Sequence, residues 1–410
     1  MNWHVHPRSA CRLCGGKRLR EFLRFPAMPF TDEFVSAERS GSEFRADIAV
    51  FWCEDCHSAQ TQHDVEVTEY YRDYRYTVSS SAFARRFMKR LATELFQRFH
   101  LTPGDRVLEI GSGDGHQLAC FQELGAEVLG FEPSADLTEA ARAAGVPTIQ
   151  TLFDCHGVEQ IPQAQRPAHV VLLTYTFDHL PEPGPFLELV RTVLDSKRGL
   201  LVIEIHDFAK INERREICLF EHEHSIYLTG ATMERLLARS GFRLVTSNLL
   251  PENERRGNSL LVVATPESSE VIESDFIPNA GDLALESWEP LAAFGSQVRA
   301  GIDRFRKHVE SGRAAGRRFA GYGAGGRGVM TLAMAGMTTR EIEYLCDQNS
   351  SFHGLLTPAT HIPVVSPDRV TSDPVDELIV FSYAYMNEIR ERLDPFAKRG
   401  GKFTSILDLI

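Results

Sequence analysis

Along the middle of the chain, short apolar runs alternate with amphipathic stretches. The runs Arg106–Ile110, Glu127–Phe131, Val170–Leu173, Leu200–Ile205, Arg243–Leu249 and Ser259–Ala264 read as strands. The first is followed by a helical stretch, His116–Leu124. Alternation of this kind predicts an open parallel sheet with helices on its faces. Upstream, Ala82–His100 reads as a helix with Ser81 as its N-cap. Downstream, a polar linker at 266–280 gives way to a long helix ending at Gly312. The strand-to-glycine pattern then returns at Arg318–Gly328, and Glu343–Cys346, Glu377–Phe381 and Phe403–Ile406 supply further strands. This predicts a second Rossmann-like domain, a degenerate copy of the first. Near the N-terminus, Ile48–Trp52 is the strand of a separate small module. The expected class is α/β, with domains at 1–75, 76–265 and 281–410.

Length and charge narrow the possibilities. A chain of 410 residues has room for two or three domains, and 43% hydrophobic with 24% charged residues is ordinary for a soluble globular protein. The net charge of -12 argues against nonspecific nucleic-acid binding, which needs a basic surface. There is no apolar run long enough to span a bilayer, and Met1–Ala10 has no apolar signal core. No membrane partner is expected, and the expected compartment is the cytoplasm. The eight cysteines include two CxxC pairs, Cys11 with Cys14 and Cys53 with Cys56. Four thiolates on two turns suit a closed, structural tetrahedral zinc site. His57 and His63 are nearby alternative ligands.

The candidate chemistry starts at Val107–Gly115, where an apolar strand enters a glycine-rich turn. Gly111 and Gly113 let the backbone approach a ligand closely, and Glu132, at the tip of the next strand, is placed to hold ribose hydroxyls. Glu109 and Asp114 flank the turn, where they would repel a pyrophosphate and suit a cationic ligand. The pattern resembles motif I of class I S-adenosylmethionine (SAM) methyltransferases. Thr174 opens the segment Thr174–Pro181, which leaves the carboxyl end of another strand, where ligands of such sheets lie. Glu204–Asp207 leaves a further strand end and leads to Phe220–Tyr227, with its Glu221-His222-Glu223-His224 run. Adjacent residues point apart, so this run is a poor metal site, but a histidine beside a carboxylate is a good general base. Tyr70–Ser81 is either a packed linker or a lid whose tyrosine reaches the substrate. The second glycine turn, Tyr322–Gly328 with Arg327, is either a phosphate site or a structural relic.

Taken end to end, the chain resembles the three-domain C-methyltransferases of deoxysugar biosynthesis, which act on nucleotide-linked keto-sugars. The resemblance is carried by the CxxC pairs, Tyr74 and Tyr76, Glu109–Gly115, the EHxxY signature at Glu223, His224 and Tyr227, Tyr322–Gly328, Pro358–Val365 and Tyr383–Ile389. It implies a class I SAM methyltransferase domain between a small zinc-binding domain and a second Rossmann-like domain. It implies SAM and one structural zinc as cofactors. It also implies deprotonation beside a ketone by His224, with Glu223 as its partner and His179 and Tyr76 stabilising the enolate. Tyr175, Glu221, His222, Tyr227, Tyr322 and Arg327 fall where substrate is expected. Tyr175 stands where the family commonly has asparagine, Glu221 where it has tyrosine, and Tyr383 where it has tryptophan. Tyr175 and Glu221 keep open C- or O-methylation of another natural product. A non-catalytic zinc-bearing binding protein is a further reading, opposed by the intact Glu109–Gly115 turn, Glu132 and His224. A monomer or small homo-oligomer is expected.

Overall fold

A computed structural model of the chain describes residues 4–66, 81–255, 257–269 and 273–410. Tyr76 and most of the aromatic segment around it lie outside the described residues. The N-terminal module is built on an antiparallel hairpin of Leu19–Met28 and Ala46–Cys53, with Ala59–Thr61 as the next strand. Ile48–Trp52 falls inside the second of these. The ten-residue Leu19–Met28 strand was not foreseen, because Arg20, Glu21 and Arg24 interrupt its apolar face. The segment between the two hairpin strands reaches the C-terminal domain, where Val35 bridges Leu356 and Glu43 accepts from His361 and from the Ala359 N–H. The fourth strand of this sheet, Ile226–Tyr227, comes from the middle of the chain and pairs with Ala59–Thr61.

The middle domain holds seven strands. They are β1 (Arg106–Ile110), β2 (Glu127–Phe131), β3 (Thr148–Ile149), β4 (Val170–Thr174), β5 (Leu200–His206), β6 (Phe242–Thr246) and β7 (Ser259–Pro266). Their order is β6-β7-β5-β4-β1-β2-β3. The sheet is not wholly parallel as expected: β7 runs antiparallel to both neighbours. The connection from β6 to β7 carries only the short turn Glu252–Glu254, and a return without a crossover helix makes adjacent strands antiparallel. β6 also ends at Thr246 rather than Leu249. Leu249 and Leu250 turn into the core beneath the helix Ala82–Arg98, against Phe87, Met88 and Leu91. Ser81 caps that helix as expected, its Oγ accepting from the Ala84 N–H.

The C-terminal domain is a five-stranded parallel sheet centred on Phe319–Tyr322. Leu345–Cys346 and Val364–Val365 lie on one side, Glu377–Val380 and Lys402–Ser405 on the other. The long helix Trp288–Ala314 packs on the N-terminal hairpin, so closely that a side chain at Gly295 would overlap the Phe22 carbonyl. One apolar core runs from that hairpin through Phe208 and Phe220 into the C-terminal sheet.

Candidate active site

β1 ends in three left-handed glycines, Gly111, Gly113 and Gly115 (φ +73°, +54° and +78°). The Gly111 and Ser112 N–H groups both donate to the Phe131 carbonyl, which folds the turn onto β2. Glu132, at the end of β2, accepts from the Gly113 N–H at 2.9 Å and from the Ser134 N–H at 2.8 Å. Burial raises its pKa, and the two N–H groups oppose that rise. Thr174 donates to buried Glu109 at 3.5 Å, and Asp114 accepts from the His116 N–H. A Cβ at Gly111 would overlap Thr176, whereas one at Gly113 would meet nothing within 4 Å. The turn is therefore closed on the β4 side and open above Gly113. An open glycine cradle with a carboxylate beside it fits SAM, whose ribose hydroxyls can replace backbone N–H groups at Glu132.

Two residues beyond Thr176 the chain enters a buried histidine cluster. Asp178 and His179 lie past the end of β4, and His206 ends the neighbouring β5. Thr174 and Glu204 are paired in the sheet, so the strand extensions face one another. His206 Nδ1 donates to Asp178 Oδ2 at 3.0 Å. The His224 ring lies 4.8 Å from His206 and 5.1 Å from His179, centroid to centroid. Its Nδ1 donates to the Leu219 carbonyl at 2.8 Å. A carbonyl only accepts, so Nδ1 holds the proton and Nε2 carries the lone pair.

The cluster's electrostatics follow from its burial. Burial, chiefly, pushes His224 down to about 3, and His206 adds to the fall. Burial also lowers His179. Burial would raise Asp178, but the His206 hydrogen bond and the surrounding histidines hold it below the usual carboxylate range. Asp178 is a carboxylate acting on His224, and Glu223, also buried, adds its charge to Glu221.

The other expected site residues divide. The Tyr175 ring lies 4.6 Å from His206, on a backbone held at φ +51°. Glu221 stands against the C-terminal glycine turn, its Oε1 3.1 Å from where a Gly326 Cβ would be. Burial raises its carboxyl well above the ordinary value, with the charge of Glu223 adding to the effect. Arg327, from the same turn, lies 4.9 Å over the Tyr383 ring. Two residues, His222 and Tyr322, point elsewhere, and Tyr227 keeps a buried hydroxyl close enough to Glu221 and Asp178 to feel their charge. His222 donates to the Met28 carbonyl at 2.9 Å and meets His63 Nε2 at 3.0 Å, so it faces the N-terminal module rather than substrate. The Tyr227 ring packs in the core against Phe220 and Phe208. Tyr322 is buried in the C-terminal sheet, its hydroxyl accepting from Gln348.

No role was read for Asp178 or His206 in the sequence, although both sit on the strand-end segments singled out there. Their signal was position: His206 ends one strand and Asp178 lies just past the end of its neighbour.

In the N-terminal module the Cys11 and Cys56 sulfurs are 3.6 Å apart, as are those of Cys14 and Cys53. Four thiolates about 2.3 Å from one zinc stand about 3.8 Å from each other, so the cluster fits the ion. The Leu13 and Gly16 N–H groups donate to Cys11 and Cys14. His57 stacks on Trp52 and His63 meets His222, so neither joins the cluster.

Comparison with known proteins adds three matched families in succession. A zinc binding domain matches residues 11–71, a methyltransferase domain 82–247 and the C-methyltransferase C-terminal domain 256–407. C-methyltransferase NovU of Streptomyces niveus is 27% identical over 410 residues, covering 97% of this chain and 95% of the relative. A ubiquinone biosynthesis O-methyltransferase of Rhodopseudomonas palustris (strain BisB18) is 32% identical over 123 residues, covering 28% of this chain and 47% of that one. Among solved structures, the CcbJ methyltransferase from Streptomyces caelestis is 15% identical with a TM-score of 0.35, covering 47% of this chain and 100% of that one.

Proposed function

We propose that this chain, a SAM-dependent C-methyltransferase with a zinc-binding domain before its catalytic domain and a C-methyltransferase domain after it, methylates the carbon beside the ketone of a nucleotide-linked keto-deoxysugar. The observation that carries the reading is the orientation of His224. Its proton is committed to the Leu219 carbonyl, so its Nε2 lone pair is presented to a buried cluster. That cluster begins two residues from Thr176, which packs on the SAM turn.

Bound SAM supplies an electrophilic methyl group. The chain's task is to make a carbon nucleophile next to it. His224 Nε2 takes the proton from the carbon beside the ketone; burial keeps the ring neutral beforehand, so its lone pair is free to do so. His179 and Tyr76 donate to the developing enolate oxygen. Glu221 replaces a tyrosine of the resembled family. Burial raises its carboxyl and so favours the protonated form, which can donate a hydrogen bond as a tyrosine hydroxyl would. Tyr175 bounds the sugar side.

The nucleotide belongs on the C-terminal domain. The helix Gly326–Ala335 begins without a side-chain cap, and Gly325 beside it has open space where a Cβ would be. Free N–H groups at such a start suit a phosphate. Nucleotide-linked 4-keto-sugars, offered as a panel with labelled SAM, test the reading. The expected product carries the methyl on carbon. Turnover of phenols or other oxygen acceptors with none of the sugars refutes it.

A further inference from the structure

Asp178 and His206 have no task in the mechanism so far, yet they are built into the site. His206 Nδ1 donates to Asp178 Oδ2, so the lone pair of the neutral His206 ring, like that of His224, is on Nε2. One ring nitrogen of each histidine and a carboxylate oxygen of Asp178 lie within 4.8 Å of one another. With the His206 and His224 ring centroids 4.8 Å apart, one water or a small ring rotation can link the two rings. The second Asp178 oxygen is buried and has no hydrogen-bond partner; His179 Nε2 stands 3.9 Å from it. Exposure rises along the row: the Asp178 side chain is 3% exposed, while that of His206 is 19% exposed.

This arrangement answers a difficulty in the proposed reaction. A proton taken by His224 creates a cation in a buried place, where desolvation disfavours it. A cation on His206 instead sits directly on an ionised carboxylate with solvent on its other side. We infer that Asp178 and His206 form a relay that carries the substrate's proton from His224 to solvent. The inference rests on His224 being the base.

In the first step the substrate C–H bond breaks, its electron pair stays behind as the enolate, and an N–H bond forms at His224 Nε2. In the second step that N–H bond breaks while another forms at His206 Nε2, directly or through one water. Asp178 balances the charge, and His206 then loses the proton to solvent. The charged and titratable groups around the relay are Asp178, His179 and His224, with Tyr175 against His206 and Glu204 two residues back on β5. The same trio could instead ligate a divalent cation, but a metal would occupy the lone pairs the relay uses.

The test compares His206→Gln, Asp178→Asn and His224→Ala in the full chain. SAM affinity is read by calorimetry, exchange of the substrate's α-proton with deuterated solvent by NMR, and methyl transfer against pH, all with a nucleotide-linked 4-keto-sugar. His206→Gln is expected to bind SAM within about twofold of wild type and to exchange about 10–100 times more slowly, a part of the range for losing a general base. Added imidazole should restore part of the rate to His206→Gly. Asp178→Asn removes the charge that holds the imidazolium, so the acid limb of the pH profile should move down by about one unit. Wild-type exchange in His206→Gln with His224→Ala dead overturns the relay and leaves the base in place. Wild-type exchange in His224→Ala overturns the base itself. A second metal per chain, besides zinc, that His206→Gln loses would overturn the relay in favour of a metal site. If Asp178→Asn does not fold, the partly exposed His206→Gln still decides.

Discussion

Alanine at Gly111 and alanine at Gly113 disturb one turn in two different ways. Both positions are left-handed, which costs an L-residue about 1–2 kcal/mol. At Gly111 the new methyl would also overlap Thr176 Oγ1 and crowd its Cγ2 and Cβ, at 3.1 and 3.3 Å. Moving Thr176 aside adds about 1–3 kcal/mol of overpacking. At Gly113 nothing lies within 4 Å. Without SAM, Gly111→Ala should therefore lose about 2–5 kcal/mol and Gly113→Ala about 1–2 kcal/mol. Both should bind SAM at least about tenfold more weakly, about 1.4 kcal/mol, because the Gly113 methyl enters the space the ligand needs and the Gly111 methyl deforms the turn beneath it. Urea unfolding without ligand gives the first quantity and calorimetric titration the second. Equal loss of stability in the two variants, or wild-type SAM affinity in Gly113→Ala, refutes this placement of the ligand. Thr176 also leads to Asp178. At saturating SAM, Gly111→Ala should slow substrate proton exchange and Gly113→Ala should not.

Four further outcomes follow from the same geometry. Metal analysis should find about one zinc per chain. Cys53→Ser should lower proton exchange more than SAM affinity, because the Cys53 turn feeds the strand that pairs with Ile226–Tyr227; full exchange in metal-free protein contradicts this. Glu132→Ala should weaken SAM binding by about 1–3 kcal/mol, the scale for losing a charged acceptor of hydroxyls, and unchanged calorimetry counts against it. His222 is pushed down to about 3 by burial, whereas the unfolded chain protonates near 6.5, so its contribution is complete above about pH 6.5 and is lost as pH falls toward 3. By pH 5 the loss is about 2 kcal/mol, and His222→Gln should flatten the acid side of the stability curve; an unaltered slope there refutes the assignment.

The sequence carried the parts of the fold that repeat a simple pattern. β1, the glycine turn and Glu132 were legible because strand, turn and acid follow one another within a single βα unit. The CxxC pairs were legible because their spacing encodes the chemistry. What escaped depends on partners distant in sequence. Leu19–Met28 has too broken an apolar face to read as a strand, and its pairing with Ala46–Cys53 supplies what the pattern lacks. The reversal of β7 was hidden because strand direction depends on the connection rather than on the strand. At the site, Glu223 beside His224 was legible from adjacency, whereas Asp178 was hidden because it reaches His224 from beyond the end of β4. His222 looked like a substrate ligand until His63 and Met28 claimed both its nitrogens.

The stretch from Glu216 to Tyr227 explains why three domains accompany one reaction. It has little regular structure, only the turn Ile217–Leu219 and two strand residues, so its ordering must be offset by contacts from outside. Every domain supplies some. From the C-terminal domain, Tyr383 donates to Glu216 at 3.0 Å, the Arg327 charge acts on Cys218, and Gly326 abuts Glu221. From the N-terminal module, His63 and Met28 hold His222, and the Thr61 N–H donates to the Ser225 carbonyl. From the middle domain, the Asp178 and Leu180 carbonyls accept from Ser225, and Asn258 donates to Glu216 at 2.7 Å. His224 lies between these restraints, and its own ring is fixed by Leu219 within the stretch. The glycine turn and Glu132 belong to the middle domain alone. The restraints around His224 come from all three domains at once, so the zinc cluster bears on His224 through the strand it anchors.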